Sequence, residues 1–220
     1  MKFRRRSPSD ATPNPDELDG TAPDTIEGPD GTVMVRLGPY DVDDIPAEMA
    51  AIDRVDLGSI LVAPVPNCEL RLQVDERTQE VQAVLLTSDE GALELRAFAA
   101  PRNGDLWATV RPQLAQDIVN RGGEVSEIEG TWGIHLVGQM PVQLPDGTQG
   151  VQASRIIGIN GSRWMLRATL IGRPAVDGDY ANIWLQGLAA SAIRRGDAAL
   201  PVGEALPLVM PPQPAPTTEA

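Results

Sequence analysis

The stretches "LRAFAAPRNGDLWATV" (Leu95–Val110) and "LRATLIGRPAVDGDYANIW" (Leu166–Trp184) decide the fold between them. Each reads as an apolar strand carrying Leu-Arg-Ala, then a loop with Gly and Pro, then Gly-Asp, then a helix with Trp in its early turns. In the strands, successive side chains fall on opposite faces, so Arg96 and Arg167 point away from the face of Leu95 and Leu166. Phe98, Thr169 and Ile171 share the arginine side. The period then changes. After Asp105, an N-cap by type, Leu106, Val110, Leu114 and Ile118 recur every four residues until Gly122-Gly123. After Asp179, Tyr180, Trp184, Leu188 and Ala192 do the same until Gly196. The helix markers lie 74 residues apart and the strands 71, so the second loop is read as three residues longer.

Working outward, most of the chain has period two. "ELRLQV" places Leu70, Leu72 and Val74 on one face, and "GALELRAFAA" does so with Leu93, Leu95, Ala97 and Ala99. "VDERTQEV", "LTSDEGAL" and "LPDGTQG" are turn-rich breaks, and Asn160-Gly161 is the pair best suited to a type I′ hairpin turn. Strands are expected near 58–63, 69–74, 80–87, 92–100, 124–129, 133–140, 150–159 and 162–171, with a short one at 32–37. The expected fold class is α+β. An antiparallel sheet carries two amphipathic helices on one face, built as two tandem strand-strand-strand-helix repeats, about 58–123 and 124–196, related by a pseudo-twofold. Pro112 falls inside the first helix, where a missing N–H and a ring clash cost roughly 3 kcal/mol unless the helix kinks or starts later.

Composition shifts mark the ends. From Ser7 to Thr32 there are seven acidic residues, five prolines and no Lys or Arg, so residues 1–32 are expected to be a disordered tail, basic then acidic. Residues 33–205 form the single domain. Residues 206–220 form a Pro-rich C-terminal tail, with the first half of "PVGEALPLVMPPQPAPTTEA" lying extended on the domain. The start, Lys2 with Arg4, Arg5 and Arg6, offers weak contact with an anionic membrane surface, although a solvated terminus explains it more simply.

A formal net charge of -13 repels phosphate backbones and argues against nucleic acid as a partner. One cysteine, Cys68, excludes an intramolecular disulfide and suits a reducing compartment. "MKFRRR" is followed by polar residues where a signal peptide has its apolar region, and no run reaches the ~20 apolar residues of a membrane span. A cytoplasmic protein is expected.

The groups for catalysis are sparse. His135, the only histidine, sits mid-strand in phase with Val137 and lacks the partners that zinc or Ser-His chemistry requires. Cys68 has an acidic neighbour that disfavours a thiolate. Ser59 in "LGSIL" has half of a nucleophile elbow, and no phosphate loop, dinucleotide fingerprint or calcium loop appears. Glu124, Glu127 and Glu129 in "GEVSEIEG" read as the solvent edge of a strand, "RGD" at Arg195–Asp197 as a helix end, and Asn160-Gly161-Ser162 as a turn rather than a glycosylation site. No metal or cofactor is expected. The candidate interaction face is Arg96, Phe98, Arg167, Thr169 and Ile171: two arginines at matched positions of the repeat, on a partly apolar sheet face. They serve to frame an anion or, more plainly, to pair with acidic neighbours and cover the sheet.

"GPYDVDDIP", "RVDLGSILV", "LRLQVDE", "LRAFAAPRNGDLW", "GVQASRIIGINGSRWMLRATLIG" and "RRGDAALPVGEALPL" resemble a family of actinobacterial proteins known only as a domain of unknown function. The resemblance spans roughly residues 38–208 and implies a small cytoplasmic bacterial protein with a charged, variable N-terminus, but no activity and no catalytic residues. Pro112 stands where the family pattern has a helix former.

The expected function is a non-catalytic interaction or adaptor module, chaperone-like at its broadest, with self-association or another protein as partner. The alternative is an enzyme or small-ligand binder with an arginine and carboxylate site between the halves; a nucleic-acid role comes third. A flat or grooved apolar face would favour the first, and a closed pocket holding Arg96, Arg167 and carboxylates the second.

Overall fold

The alternating segments become strands. In a computed structural model that describes residues 25–27, 33–35, 37–143 and 147–211, the chain up to Arg36 and the chain from Leu37 form two separate units. In the first, β1 (Thr25–Glu27) pairs antiparallel with β2 (Val33–Val35). The rest of the expected tail, residues 1–24 and 28–32, lies outside the described residues. Strand β1 falls within the stretch expected as a tail, where β-branched Thr25 and Ile26 precede a Gly-Pro-Asp-Gly sequence and Val33 and Val35 follow it.

The second unit begins with β3 (Tyr40–Asp41), two short 3₁₀ turns at Val42–Asp44 and Ala47–Met49, β4 (Val55–Asp56) and β5 (Ile60–Val62). A first meander follows: β6 (Glu69–Val74), β7 (Val81–Ser88) and β8 (Gly91–Ala99). Then come α1 (Leu106–Asn120) and a second meander of β9 (Glu124–Gly130), β10 (Gly133–Gln143), β11 (Gln149–Asn160) and β12 (Trp164–Gly172). The chain finishes with the one-turn α2 (Arg173–Val176), α3 (Gly178–Ala190) and β13 (Ala192–Ile193). The two meanders join at their last strands into a seven-stranded antiparallel sheet of order β6-β7-β8-β12-β11-β10-β9, and a four-stranded sheet has the order β3-β13-β5-β4. The small sheet is mixed, since β13 pairs parallel with β3 and antiparallel with β5, and these mostly antiparallel sheets with few helices make this an α+β protein.

The expectation that both helices cover one face is overturned. Leu93, Leu95, Leu166, Ala168 and Leu170 pack with Trp184 and Leu188 of α3 and with Ile60 and Val62 of the small sheet, forming the larger core. α1 lies on the opposite face, where Leu106 and Trp107 join Leu136, Met165, Phe98 and Ile156. The reason is visible at two glycines. A Cβ on Gly158 would run into the Trp107 indole, and one on Gly138 would lie 3.3 Å from Cδ1 of Ile118, so bare backbone lets the helix sit close. The arginine side of the sheet is therefore partly roofed by α1.

The second helix also departs from expectation. Its N-cap is Asp177, whose carboxylate accepts from the Tyr180 N–H at 3.1 Å, and not Asp179. It stops at Ala190, short of Gly196, because Ser191 turns extended: its hydroxyl donates to the Gly187 carbonyl at 2.9 Å and accepts from the Ala63 N–H at 3.1 Å. Ala192 and Ile193 then pair with Leu61 and Ile60. Arg195–Asp197 accordingly follows a strand and is no helix end. The two N-caps, Asp105 and Asp177, lie 72 residues apart, so the three-residue difference in loop length falls to one.

Asn160-Gly161 is not a type I′ pair. The positive φ falls on Arg163, at 65°, while Gly161 packs under the Trp164 ring and donates to the Trp164 carbonyl at 2.8 Å. The "LPDGTQG" turn lies partly outside the described residues. Past Ala205 the chain stays on the fold: Leu206 is 3% exposed and donates to the Ala97 carbonyl of β8 at 2.9 Å, and Val209 donates to the Leu57 carbonyl beside the small sheet.

A cleft between the first helix and the sheet centre

β8 and β12 are the central pair of the large sheet, and their register sets Arg96 directly opposite Arg167, Phe98 opposite Met165 and Glu94 opposite Thr169. Two like charges in direct cross-strand opposition repel each other, so this pairing costs stability unless something else compensates. Compensation from the protein is partial. Arg167 lies 3.6 Å from the Glu94 carboxylate, and an Nη of Arg96 donates to the Gln82 side-chain oxygen at 3.4 Å. Both guanidiniums lie near the Phe98 ring, at 6.0 Å for Arg96 and 5.5 Å for Arg167, where the negative ring face offsets some of their charge. The Nε atoms of both arginines are buried without a hydrogen-bond partner. Burial, opposed by Glu94 and reinforced by Arg96, holds the Arg167 pKa below its ordinary value.

Over this floor runs the C-terminal half of α1. Leu114, Asp117, Ile118 and Arg121 of the helix enclose, with the sheet, a cleft of about 390 Å³. Glu94, Arg96, Arg167 and Thr169 form its floor, and Met140 and Ile156 complete its walls. The helix is aimed by its first turn. The Asp105 carboxylate accepts from the Ala108 N–H at 2.9 Å and from Asn160 Nδ2 at 2.7 Å, and Trp107 donates from its indole to the Ile134 carbonyl at 2.7 Å.

Of the face read in the sequence, Arg96, Arg167 and Thr169 line the cleft, Phe98 lies beneath the guanidiniums and packs against the α1 core, and Ile171 sits further along β12 opposite Ala92. The helix side chains were missed, because one helix was assigned to the other face. The signal that would have found them is the pair of strand glycines, Gly138 and Gly158, on the arginine side.

A second, polar hollow of about 380 Å³ includes Asp41, Arg102, Arg163 and Arg195. The Arg195 guanidinium is tied to the carbonyls of Arg163 and Ala198, at 3.1 and 3.0 Å. His135 is 4% exposed on the other sheet face, and its pKa is lowered to about 4 by burial and by Arg155. Burial pushes the Cys68 thiol up, away from thiolate reactivity. Glu127 on the edge strand β9 pairs with Arg111 of α1 at 2.8 Å. Among the described residues no helix is long and apolar enough to cross a membrane, and no group of three or more His, Cys, Asp and Glu is placed to hold a metal ion.

Fold and cleft define a class: an α+β protein whose antiparallel sheet carries paired arginines beneath one helix. The sequence matches the family described as Protein of unknown function (DUF3710) over residues 38–217, and the chain belongs to that family. No curated protein matches it. A crystal structure from Bacteroides thetaiotaomicron VPI-5482 is similar over 64% of this chain and 50% of that chain, with 14% identity and a TM-score of 0.39, a likeness too remote to support an argument. The chain thus spans half the length of that solved protein.

Proposed function

We propose that this chain is a non-catalytic binding protein that holds the negatively charged group of a ligand or partner between α1 and the centre of the large sheet. The observation that carries this reading is the direct opposition of Arg96 and Arg167, with an unpartnered buried Nε on each. An anion bridging them would replace mutual repulsion with charge-assisted hydrogen bonds, the stronger kind, and the planar guanidinium suits a carboxylate. The cleft lining consists of guanidiniums, carboxylates, a threonine hydroxyl and aliphatic groups, which suits holding better than turnover. An axis normal to the sheet between Arg96 and Arg167 would relate β8 to β12 but not the two halves, whose helices lie on opposite faces.

The test is thermal unfolding of the full chain in sodium salts of carboxylic acids at constant ionic strength. At about 100 times its dissociation constant a ligand stabilises the folded state by roughly 2.7 kcal/mol, so a rise in Tm is expected for the wild type and none for Arg96→Met or Arg167→Met. Equal shifts in the variants, or no shift in any, would contradict the proposal.

The adaptor reading, in which a protein docks on this face, is favoured by the strip beyond the helix. There Leu85, Thr87 and Ala92 on β7 and β8 are half-buried, outside the cleft lined by α1. Capture from the native cells yielding one stoichiometric protein lost on Arg167→Met would select it. A cytoplasmic site of action fits the single, unreactive Cys68.

A further inference from the structure

The same cleft contains more than its arginines, and the rest of its lining says what kind of anion would fit. Resting on the binding reading above, we propose that the ligand is a free amphipathic monocarboxylate, a small molecule with one carboxylate and an unbranched or compact apolar body. Its carboxylate lies on Arg96 and Arg167, and its body runs along α1.

Charge selects a monoanion. The ionised side chains of the cleft are Arg96, Arg121 and Arg167 against Glu94 and Asp117, which leaves one positive charge to neutralise. A phosphate dianion or a dicarboxylate would bring a second negative charge beside Glu94, which already lies 3.6 Å from Arg167. Desolvating that excess charge on a half-buried floor is unfavourable. The walls select an apolar body: Leu114, Ile118, Met140 and Ile156 present only carbon and sulfur, so a polar ligand would lose hydration there without gaining hydrogen bonds. Met140 also adapts to different shapes better than a stiff aromatic wall would. Size selects a small molecule, because about 390 Å³ is at the small-ligand end of binding sites and α1 forms one wall of the cleft.

The experiment is isothermal titration calorimetry on the full chain with sodium octanoate, sodium acetate, inorganic phosphate, octan-1-ol and a short peptide ending in an apolar residue with a free carboxylate. Octanoate is expected to bind at one site. Acetate should bind more weakly by about tenfold or more, since each buried methylene contributes roughly 0.8 kcal/mol. Phosphate and octan-1-ol should show no saturable binding. Arg167→Met should weaken octanoate by about tenfold or more, the loss of a charge-assisted contact. Ile118→Asn, at a half-exposed helix position and without added charge, should weaken octanoate more than acetate; far-ultraviolet circular dichroism and Tm check that both variants fold. Phosphate or acetate binding as tightly as octanoate would overturn the amphipathic ligand and leave the anion-binding reading standing. The peptide binding more tightly than octanoate would overturn the free acid in favour of a polypeptide terminus. Binding by none of the anions would remove both readings.

Discussion

Gly158 shows what a single residue contributes. It lies mid-strand on β11 opposite Arg167, and the Trp107 indole occupies the space where a side chain would begin. Gly158→Ala should therefore destabilise the protein by roughly 1–3 kcal/mol through overpacking, seen as a lower urea midpoint at unchanged slope. An unchanged midpoint would show that the helix can lift without cost. His135 is the complementary case of a buried group that titrates. Its pKa is about 4 in the folded chain against 6.5 for the free side chain, so between these values the unfolded chain binds the extra proton. Stability is complete above 6.5 and falls as the pH drops towards 4, by up to about 3 kcal/mol at 1.36 kcal/mol per pKa unit. His135→Gln should flatten that part of the stability profile, followed by urea unfolding at a series of pH values; an unaltered slope would place the effect elsewhere. The strand phase of His135 was readable from its neighbours. The constraint on Gly158 was not, because its partner lies in a distant segment.

At the scale of elements, strands were legible and helix ends were not. Period two and turn chemistry placed Glu69–Val74 on the residues read for it and brought the other long strands within a few residues. Asp105 caps α1 as its type and place suggested. The second helix was misread because Ala192 continued its four-residue rhythm, while pairing with the small sheet held that residue in a strand. Pro112 neither delays nor ends α1, which runs from Leu106 through it to Asn120. The exposed ring leaves the Ala108 carbonyl without its helical N–H donor. Pro112→Ala should thus stabilise the chain by roughly 1–3 kcal/mol, measured as a rise in urea midpoint and Tm. A loss of stability would mean that the proline sets a bend which the cleft needs.

At the scale of the whole molecule, the C-terminal segment joins elements far apart in sequence. Gly203 and Leu206 donate to the carbonyls of Ala99 and Ala97 at 2.8 and 2.9 Å, extending the large sheet where β7 has stopped pairing with β8. Val209 then donates to Leu57 at 3.0 Å beside the small sheet. Leu206→Ala should cost roughly 2–5 kcal/mol as a buried leucine truncation, and ending the chain before Pro201 should expose the β8 edge and promote aggregation. Calorimetric Tm and light scattering measure the two outcomes; a truncated chain as stable and monodisperse as the full one would contradict this role.

The sequence by itself determined the α+β class, the long strands, the first helix with its cap, and the arginine phase on β8 and β12, because each depends on local periodicity and cap chemistry. Tertiary structure alone decided which face each helix covers, where the second helix ends, and that the arginines meet across one strand pair beneath α1. Those outcomes depend on contacts between distant segments: Trp107 on Gly158, Ser191 on Ala63, and Arg96 against Arg167. Periodicity reports that a side of a strand is apolar or charged. It is packing that selects the element laid against it.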